Sequence, residues 1–393
     1  MHTTPASPPE RTPLTVLCVI AALMLMWATL WPFNPYPRNG VAWLPNANAL
    51  RFYDSGVVSS DAPLKPRAEA APGDACAIEI YLRPLTHDDA GNLLTFASAD
   101  NPDAVFLRQW RESLIIYRSR PIHGSGPKLT AYEVDNALRS HQLVLATISF
   151  GANGTTVYID GKVVGQTTRF RIRRDELYRQ IVLGNSPSNF QVWHGEIYGL
   201  AIYDGEVTQA HAAAHFAEWS GASSSQSTMP SISVAANHVL ARYDFRERSG
   251  GLIHSEVASA PSLIIPARFS IQYKPWLDSP IEEFEWTRSW RHDVIENVIG
   301  FMPFGFVLGG LFALSRPRSQ AILMATFIGF SLSFTVESLQ YFIPRRDSSW
   351  TDVITNTTGT LLGALIAYPG LVRSALRLVY LIPPKHETEA NQN

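Results

Sequence analysis

Four apolar runs, one near the start of the chain and three near its end, set the terms for any fold. Leu14–Trp31 carries no charge and is about as long as a helix that crosses a bilayer. Val294–Leu314, Ala321–Ile343 and Asp352–Tyr368, the last extending toward Val372, follow at the far end. Such runs must be buried in lipid or in protein. The long polar stretch between the first and second must then fold outside the membrane. Pro13 suits a first helical turn, and Trp27, Trp31, Trp286, Trp290 and Trp350 flank the runs as interfacial aromatics do. The first run is long for a signal peptide, and "WPFNPYPRNG" offers no small-x-small cleavage site, so it reads as an uncleaved anchor.

Composition agrees. Hydrophobic residues make up 46% and charged residues 17%, where about 25% charged is usual for soluble domains. A net charge of -2 gives no reason to expect a nucleic-acid partner. The two cysteines, Cys18 and Cys76, fall in regions of different character. No disulfide framework follows. No Cys/His cluster stands at zinc spacing, and no metal or other cofactor is expected.

Residues from about 40 to 280 are rich in Gly, Pro and Asn and contain short alternating runs. "AIEIYLRP", "NLLTFASA", "SLIIYRS", "LVLATISF", "TTVYIDGKVVGQTT", "QIVLGN" and "GEIYGLAIYDGEVT" read as strands. Asp160-Gly161 in "YIDGKVV" fits a type I′ hairpin. Many short strands with turn signals predict an antiparallel, jelly-roll-like sandwich. "EVTQAHAAAHFAEWS" reads as one short helix and "SGASSSQST" as a flexible linker. "VLARYDFRERSGGLIHS" resembles the earlier "ALRFYDSGVVSS". Both fit edge or closing strands, and the second also fits the start of a degenerate repeat.

Basic residues orient the spans. Arg11 precedes the first, Arg316 and Arg318 lie between the second and third, and Arg373, Arg377 and Lys385 follow the fourth. With about four spans, all three groups lie on one side, which the positive-inside rule makes cytoplasmic. The expected order is a cytoplasmic N-terminus (1–13), an anchor (14–31), an extracytoplasmic β-domain (40–280), a helical membrane domain (293–372) and a cytoplasmic tail (373–393). Arg345 and Arg346 fall on the outer side, against the rule. That predicts that carboxylates hold them.

Three helices then carry polar groups to the same outer depth. Asp293 and Asn297 share a helix face, as do Asp352 and Asn356 at the same spacing, and Glu337 and Gln340 at i,i+3. Arg346 lies in the short loop between. Such groups are costly in hydrocarbon. Gly305/Gly309 and Gly359/Gly363 form small-xxx-small faces for close helix packing, and Pro303 is placed to kink its helix. One reading of the cluster is structural: a Glu337–arginine pair, interhelical hydrogen bonds from Asn297 and Asn356, and first-turn acids at Asp293 and Asp352. The other is a site for a ligand.

"DVIENVIGFMPFG", "VESLQYFIPRR" and "DVITNTTGTLLG" together resemble the motif blocks of VanZ-like membrane proteins. Glu337, Gln340, Arg346, Asp352, Asn356 and Gly359 stand on motif positions. Asn297 replaces the histidine that many members carry, so no imidazole proton carrier stands there. The resemblance implies a bacterial cell envelope, inner-membrane placement and, through the family's name, a link to glycopeptide tolerance. "TTVYIDGKVV" and "GEIYGLAIYDGEVT" resemble laminin-G-like, concanavalin A-like sandwiches, which bind glycans or proteins, some with calcium. No calcium motif supports that here.

Function divides three ways. As a binding module, the sandwich holds a glycan or protein, with Trp110, Tyr132, Trp193 and His194 as candidate sugar contacts. Its membrane part then holds a lipid-linked or amphipathic molecule, with Arg346 on a phosphate or carboxylate. As a membrane enzyme on a lipid-linked glycan, the chain would use Glu337 and Asp352 as acid and base, though no nucleophile motif, P-loop or metal signature accompanies them. As a lipid transporter it would be small.

Overall fold

A computed structural model of the chain describes residues 11–67, 73–87, 89–122, 125–222, 238–284 and 287–378. Trp286, Lys385 and most of the expected linker lie outside them. The chain divides into two compact units. One is Tyr36–Lys274, and the other joins the two ends of the chain, up to Pro35 and from Pro275 onward.

The first unit is an all-β sandwich of two eight-stranded sheets. One sheet runs β1 (Val41–Trp43), β2 (Leu50–Phe52), β13 (Gly195–Tyr203), β4 (Cys76–Pro84), β9 (Val144–Gly151), β10 (Gly154–Ile159) and β11 (Lys162–Thr167), with β14 (Val239–Tyr243) also on β13. The other runs β15 (Leu252–Ile253), β16 (Leu263–Ile264), β3 (Val58–Ser60), β12 (Gln180–Leu183), β5 (Asn92–Ser98), β6 (Asn101–Trp110), β7 (Ser113–Ile122) and β8 (Ser125–Val134). Side chains alternate across a strand, and the inward set (Ile78, Ile80, Ile148, Phe150, Leu94, Phe96, Leu114, Ile116) forms one core between the sheets. The outer face of β4 is buried too. Ala77 and Tyr81 pack there with Trp219 of helix α2 (Gln209–Ala222), so this strand reads as a nearly continuous apolar run. At the hairpin, Asp160 and Gly161 both have positive φ, 52° and 75°, as a type I′ turn requires.

The two similar segments occupy equivalent places. Leu50, Arg51 and Phe52 pair with Ile197, Glu196 and Gly195. Tyr243, Arg242 and Ala241 pair with Leu200, Ala201 and Ile202. Both therefore lie along the edge of β13 opposite β4, and each then sends a short strand, β3 or β15, to the other sheet. The closing-strand alternative is the one realised.

In the second unit, α1 (Arg11–Leu30), α4 (Arg288–Ala313) and α5 (Arg318–Gln340) are long and apolar enough to cross a membrane. Helix α6 (Trp350–Ile366) has 17 residues, about 26 Å of helix. It ends before Tyr368, short of the expected boundary, because Pro369 opens a separate helix, α7 (Pro369–Leu378). Short helix α3 (Pro280–Glu283) precedes α4.

Glycines set the packing of α4 on α6. A Cβ on Gly359 would lie 2.2 Å from the carbonyl oxygen of Val298, and one on Gly363 would lie 2.0 Å from that of Met302. In return, Gly305 faces the carbonyl oxygen of Thr360 and Gly309 faces Ala364. Both glycine faces read from the sequence are thus used, and the two helices run parallel. Helix α5 runs against them, with Gly329 facing Thr360 and Ser333 facing Asn356. Helix α1 follows α5: Cys18 shares a cluster with Ala325, and Leu30 one with Val336. The start of α4, the ends of α5 and α1 and the start of α6 therefore meet at one end of the bundle.

Candidate functional site

The polar groups gather at that end. Asn297 on α4 donates its side-chain amide to Oδ1 of Asp352 on α6 at 2.8 Å. One turn further along α6, Asn356 donates Nδ2 to Ser333 Oγ on α5 at 3.0 Å. Helix α6 thus bonds to one neighbour through Asp352 and to the other through Asn356, which the i,i+4 spacing makes possible.

Glu337 lies one turn beyond Ser333 and is 2% exposed. Its Oε2 accepts from the backbone N–H of Ser349 at 3.1 Å. Ser349 is also the N-cap of α6, its Oγ accepting from Thr351 N at 2.9 Å and Asp352 N at 3.4 Å. The carboxylate therefore sits against the N-terminus of a helix, where backbone N–H groups and the helix dipole favour negative charge. Gln340 donates to the carbonyl of Thr29 at 3.0 Å, and Arg346 donates to that of Trp31 at 2.9 Å. These two tie the α5–α6 turn to the end of α1.

Three buried polar atoms here have no hydrogen-bond partner among the described residues: Asn356 Oδ1, Ser338 Oγ and Ser348 Oγ. Buried polar atoms are normally paired. The orphaned Asn356 acceptor, on the α6 side of the Ser333 bond, suits a ligand bearing a hydroxyl or ammonium group.

Asp293 stands apart. It is exposed in the first turns of α4, with ligand atoms of His292 and Glu296 in the same group, all within 4.8 Å of one another. All three are exposed. No metal was expected from the sequence, and an exposed acidic group of this kind does not define a metal site.

The sandwich candidates have different surroundings. Trp110 ends β6 and is 47% exposed. Tyr132 is half-buried, its ring centroid 6.4 Å from that of Phe170. Trp193 is 0% exposed and donates Nε1 to Gln109 Oε1 at 2.6 Å. It is core and offers no face to a sugar, which corrects its assignment as a contact. Gln109 and Trp110 are neighbours on a strand and point to opposite faces, so Trp193 and Trp110 do not share a surface. His194 is clamped between Asp54 Oδ1 at 2.8 Å and Asp89 Oδ1 at 3.3 Å. The hydrogen bond to Asp89, with that to Asp54 and against partial burial, pushes its pKa up to about 9.

Sequence reasoning missed Ser333, Ser348, Ser349 and Thr29. Ser333 was findable, being i,i+4 from Glu337 on the same face. Ser349 was findable as an N-cap before an apolar run. The sequence also gave no notice of Glu79, wholly buried beneath α2, which accepts from Tyr203 Oη at 2.7 Å and Thr147 Oγ1 at 3.1 Å and meets His215 Nδ1 at 2.8 Å.

Comparison with known proteins bears on both units. Residues 242–373 match the VanZ/LLP1 family model. Residues 56–213 match that of the concanavalin A-like lectin/glucanases superfamily. No curated protein matches the chain. Among solved structures, the receptor binding domain of botulinum neurotoxin D is similar, at 10% identity over 47% of this chain and 47% of that one, with a TM-score of 0.33. The botulinum neurotoxin serotype D ligand binding domain in complex with N-acetylneuraminic acid gives 12% identity, coverage of 47% and 46%, and a TM-score of 0.34. The SAP-like pentraxin of Limulus polyphemus gives 13% identity, coverage of 46% and 78%, and a TM-score of 0.30. The chain spans less than half the length of the neurotoxin domains it matches.

Proposed function

We propose that this chain, a VanZ-like helical unit joined to a concanavalin A-like sandwich, is a bacterial cell-envelope binding protein of the inner membrane. The sandwich holds an envelope glycan on the extracytoplasmic side. The polar end of the helical bundle holds the headgroup of a lipid-linked or amphipathic molecule in the outer leaflet. A link to glycopeptide tolerance would follow from capture of such a molecule.

One observation carries the reading. Asn356 Oδ1 is a buried acceptor with no partner among the described residues, at the end of an otherwise apolar bundle where Glu337, Asp352 and Asn297 converge. An interhelical lock needs every member satisfied, because an unpaired buried polar group costs about 1–3 kcal/mol. A headgroup hydroxyl or ammonium would satisfy it, and the lipid tail would lie along the apolar helices.

Native mass spectrometry of the full chain in mild detergent tests this, with Glu337→Gln beside the wild type. The expected result is a co-purifying lipid on the wild type that is depleted in the variant. Equal lipid on both would refute the site.

A further inference from the structure

Strand β7 changes character along one face. Leu114 and Ile116 are wholly buried between the sheets. Residues two apart share a face, so Arg118 and Arg120 continue that inner face past the end of the apolar core. On β8, Thr130 lies opposite Arg118 and Lys128 opposite Arg120. Cross-strand partners share a face, which places the ammonium-bearing residue beside Arg120. A second segment repeats the pattern. In Arg169–Arg173, Phe170 and Ile172 enter the core, while Arg171 and Arg173 alternate away from them. Arg118, Arg120, Arg171, Arg173 and Glu176 together line an open pocket of about 460 Å³.

The charges do not balance. Glu176 is already engaged, accepting from Arg118 Nε at 2.7 Å and from the backbone N–H of Arg173 at 2.9 Å. The Arg173 guanidinium meets Asp175 at 2.9 Å. Among the described residues no carboxylate pairs with Arg120 or Arg171, and Arg171 Nε is buried without a partner. Gathered cations repel one another, and buried guanidinium N–H groups need an acceptor. Basic residues on an edge strand also deter unwanted strand pairing. That accounts for Lys128 on β8. It does not account for a buried, orphaned Arg171 Nε or for arginines delivered by two separate segments.

We infer that this pocket binds an oxyanion, phosphate or carboxylate, carried on a saccharide. Arginine forks match both groups, and the volume is in the range of small-molecule sites. The saccharide part rests on the reading of the sandwich as a glycan-binding unit, whereas the oxyanion part does not.

Isothermal titration calorimetry of the full chain in uncharged detergent tests it, with inorganic phosphate, glucose 6-phosphate, glucuronate and glucose as probes. The wild type is expected to bind glucose 6-phosphate or glucuronate, the stronger of the two naming the anion, and not glucose. Arg120→Ala and Arg171→Gln should each weaken binding by roughly tenfold, with Arg139→Ala, exposed and outside the pocket lining, as an unchanged control. Inorganic phosphate binding as tightly as glucose 6-phosphate would uphold the anion site and overturn its saccharide part. Absence of oxyanion binding, or equal affinity in the wild type and both variants, would overturn the inference. Arg120 is exposed, so its variant carries the test even if Arg171→Gln fails to fold.

Discussion

Asn297 and Asp352, far apart in sequence, meet at 2.8 Å across the interface between α4 and α6. On α6 the bond lies about two turns before Gly359, whose missing side chain admits the backbone carbonyl of Val298, the residue after Asn297. Interhelical bonds of this kind are worth about 0.6–2 kcal/mol in membranes. Asn297→Ala is expected to cost that much in denaturant titration in detergent. Asn297→Asp should cost more, because it sets two carboxylates face to face. Equal stability of all three proteins would remove the bond from the account.

The glycine interface makes a sharper contrast. Gly363→Ala would place a Cβ 2.0 Å from the Met302 carbonyl oxygen. Overpacking costs about 1–3 kcal/mol and more when backbone must move. Gly300 lies on the same helix as Met302, yet nothing stands within 4 Å of its Cβ position. Gly363→Ala should therefore lose most folded protein on purification, and Gly300→Ala should be neutral or slightly stabilising.

Sandwich stability should fall with alkaline pH. Hydrogen bonding to Asp89, chiefly, holds His194 protonated up to about 9, whereas an unfolded histidine titrates at about 6.5. A raised folded pKa gives stability that is complete below the unfolded value and lost as pH rises through the folded one. The pKa of His215 is raised as well, Glu79 outweighing the opposing effect of burial, so it acts in the same direction. Hydrogen exchange at β13 should quicken between about pH 6.5 and 9 beyond the intrinsic rate, and less so in His194→Gln. A flat profile in the wild type would contradict the clamp.

The orientation is open to a direct check. Arg11 at the start of α1, Arg316 just before α5 and Arg318 at its start share one end of the bundle, and the Asn297–Asp352 pair lies at the other. A reporter enzyme active only outside the cytoplasm, inserted after Gln226, should be active. Activity only from a cytoplasmic reporter would invert the account.

Legibility followed how local each signal was. Strand β4 was readable because its apolar residues persist on both faces, and the β10–β11 hairpin because Asp160-Gly161 names its turn. Strands β6 and β8 were not. Their sequences open on Asn-Pro-Asp and Ser-Gly-Pro, which read as turns, and only pairing with β7 makes them strands. The ends of α4, α5 and α6 were placed correctly enough to bring Asn297, Glu337 and Asp352 to one end. Their partners depended on tertiary contacts, such as Ser349 N–H on Glu337, that no periodicity encodes. Trp193 shows the converse. An aromatic beside a histidine resembles a sugar contact until the loop between β12 and β13 carries it into the core.

The central claim is that the polar end of the bundle is a ligand site and not only a lock, and the double variant Ser333→Ala/Asn356→Leu tests it most directly. Asn356 also donates Nδ2 to Ser333 Oγ, and replacing both partners of a buried bond with apolar groups is near neutral for a protein that has no other use for them. We expect the double variant to unfold at the same temperature as the wild type, or slightly higher, in lipid-free detergent. It should also lose the stabilisation that added envelope lipid extract gives the wild type. A variant that is less stable in detergent yet keeps the full lipid response would contradict the claim and leave the cluster a structural one.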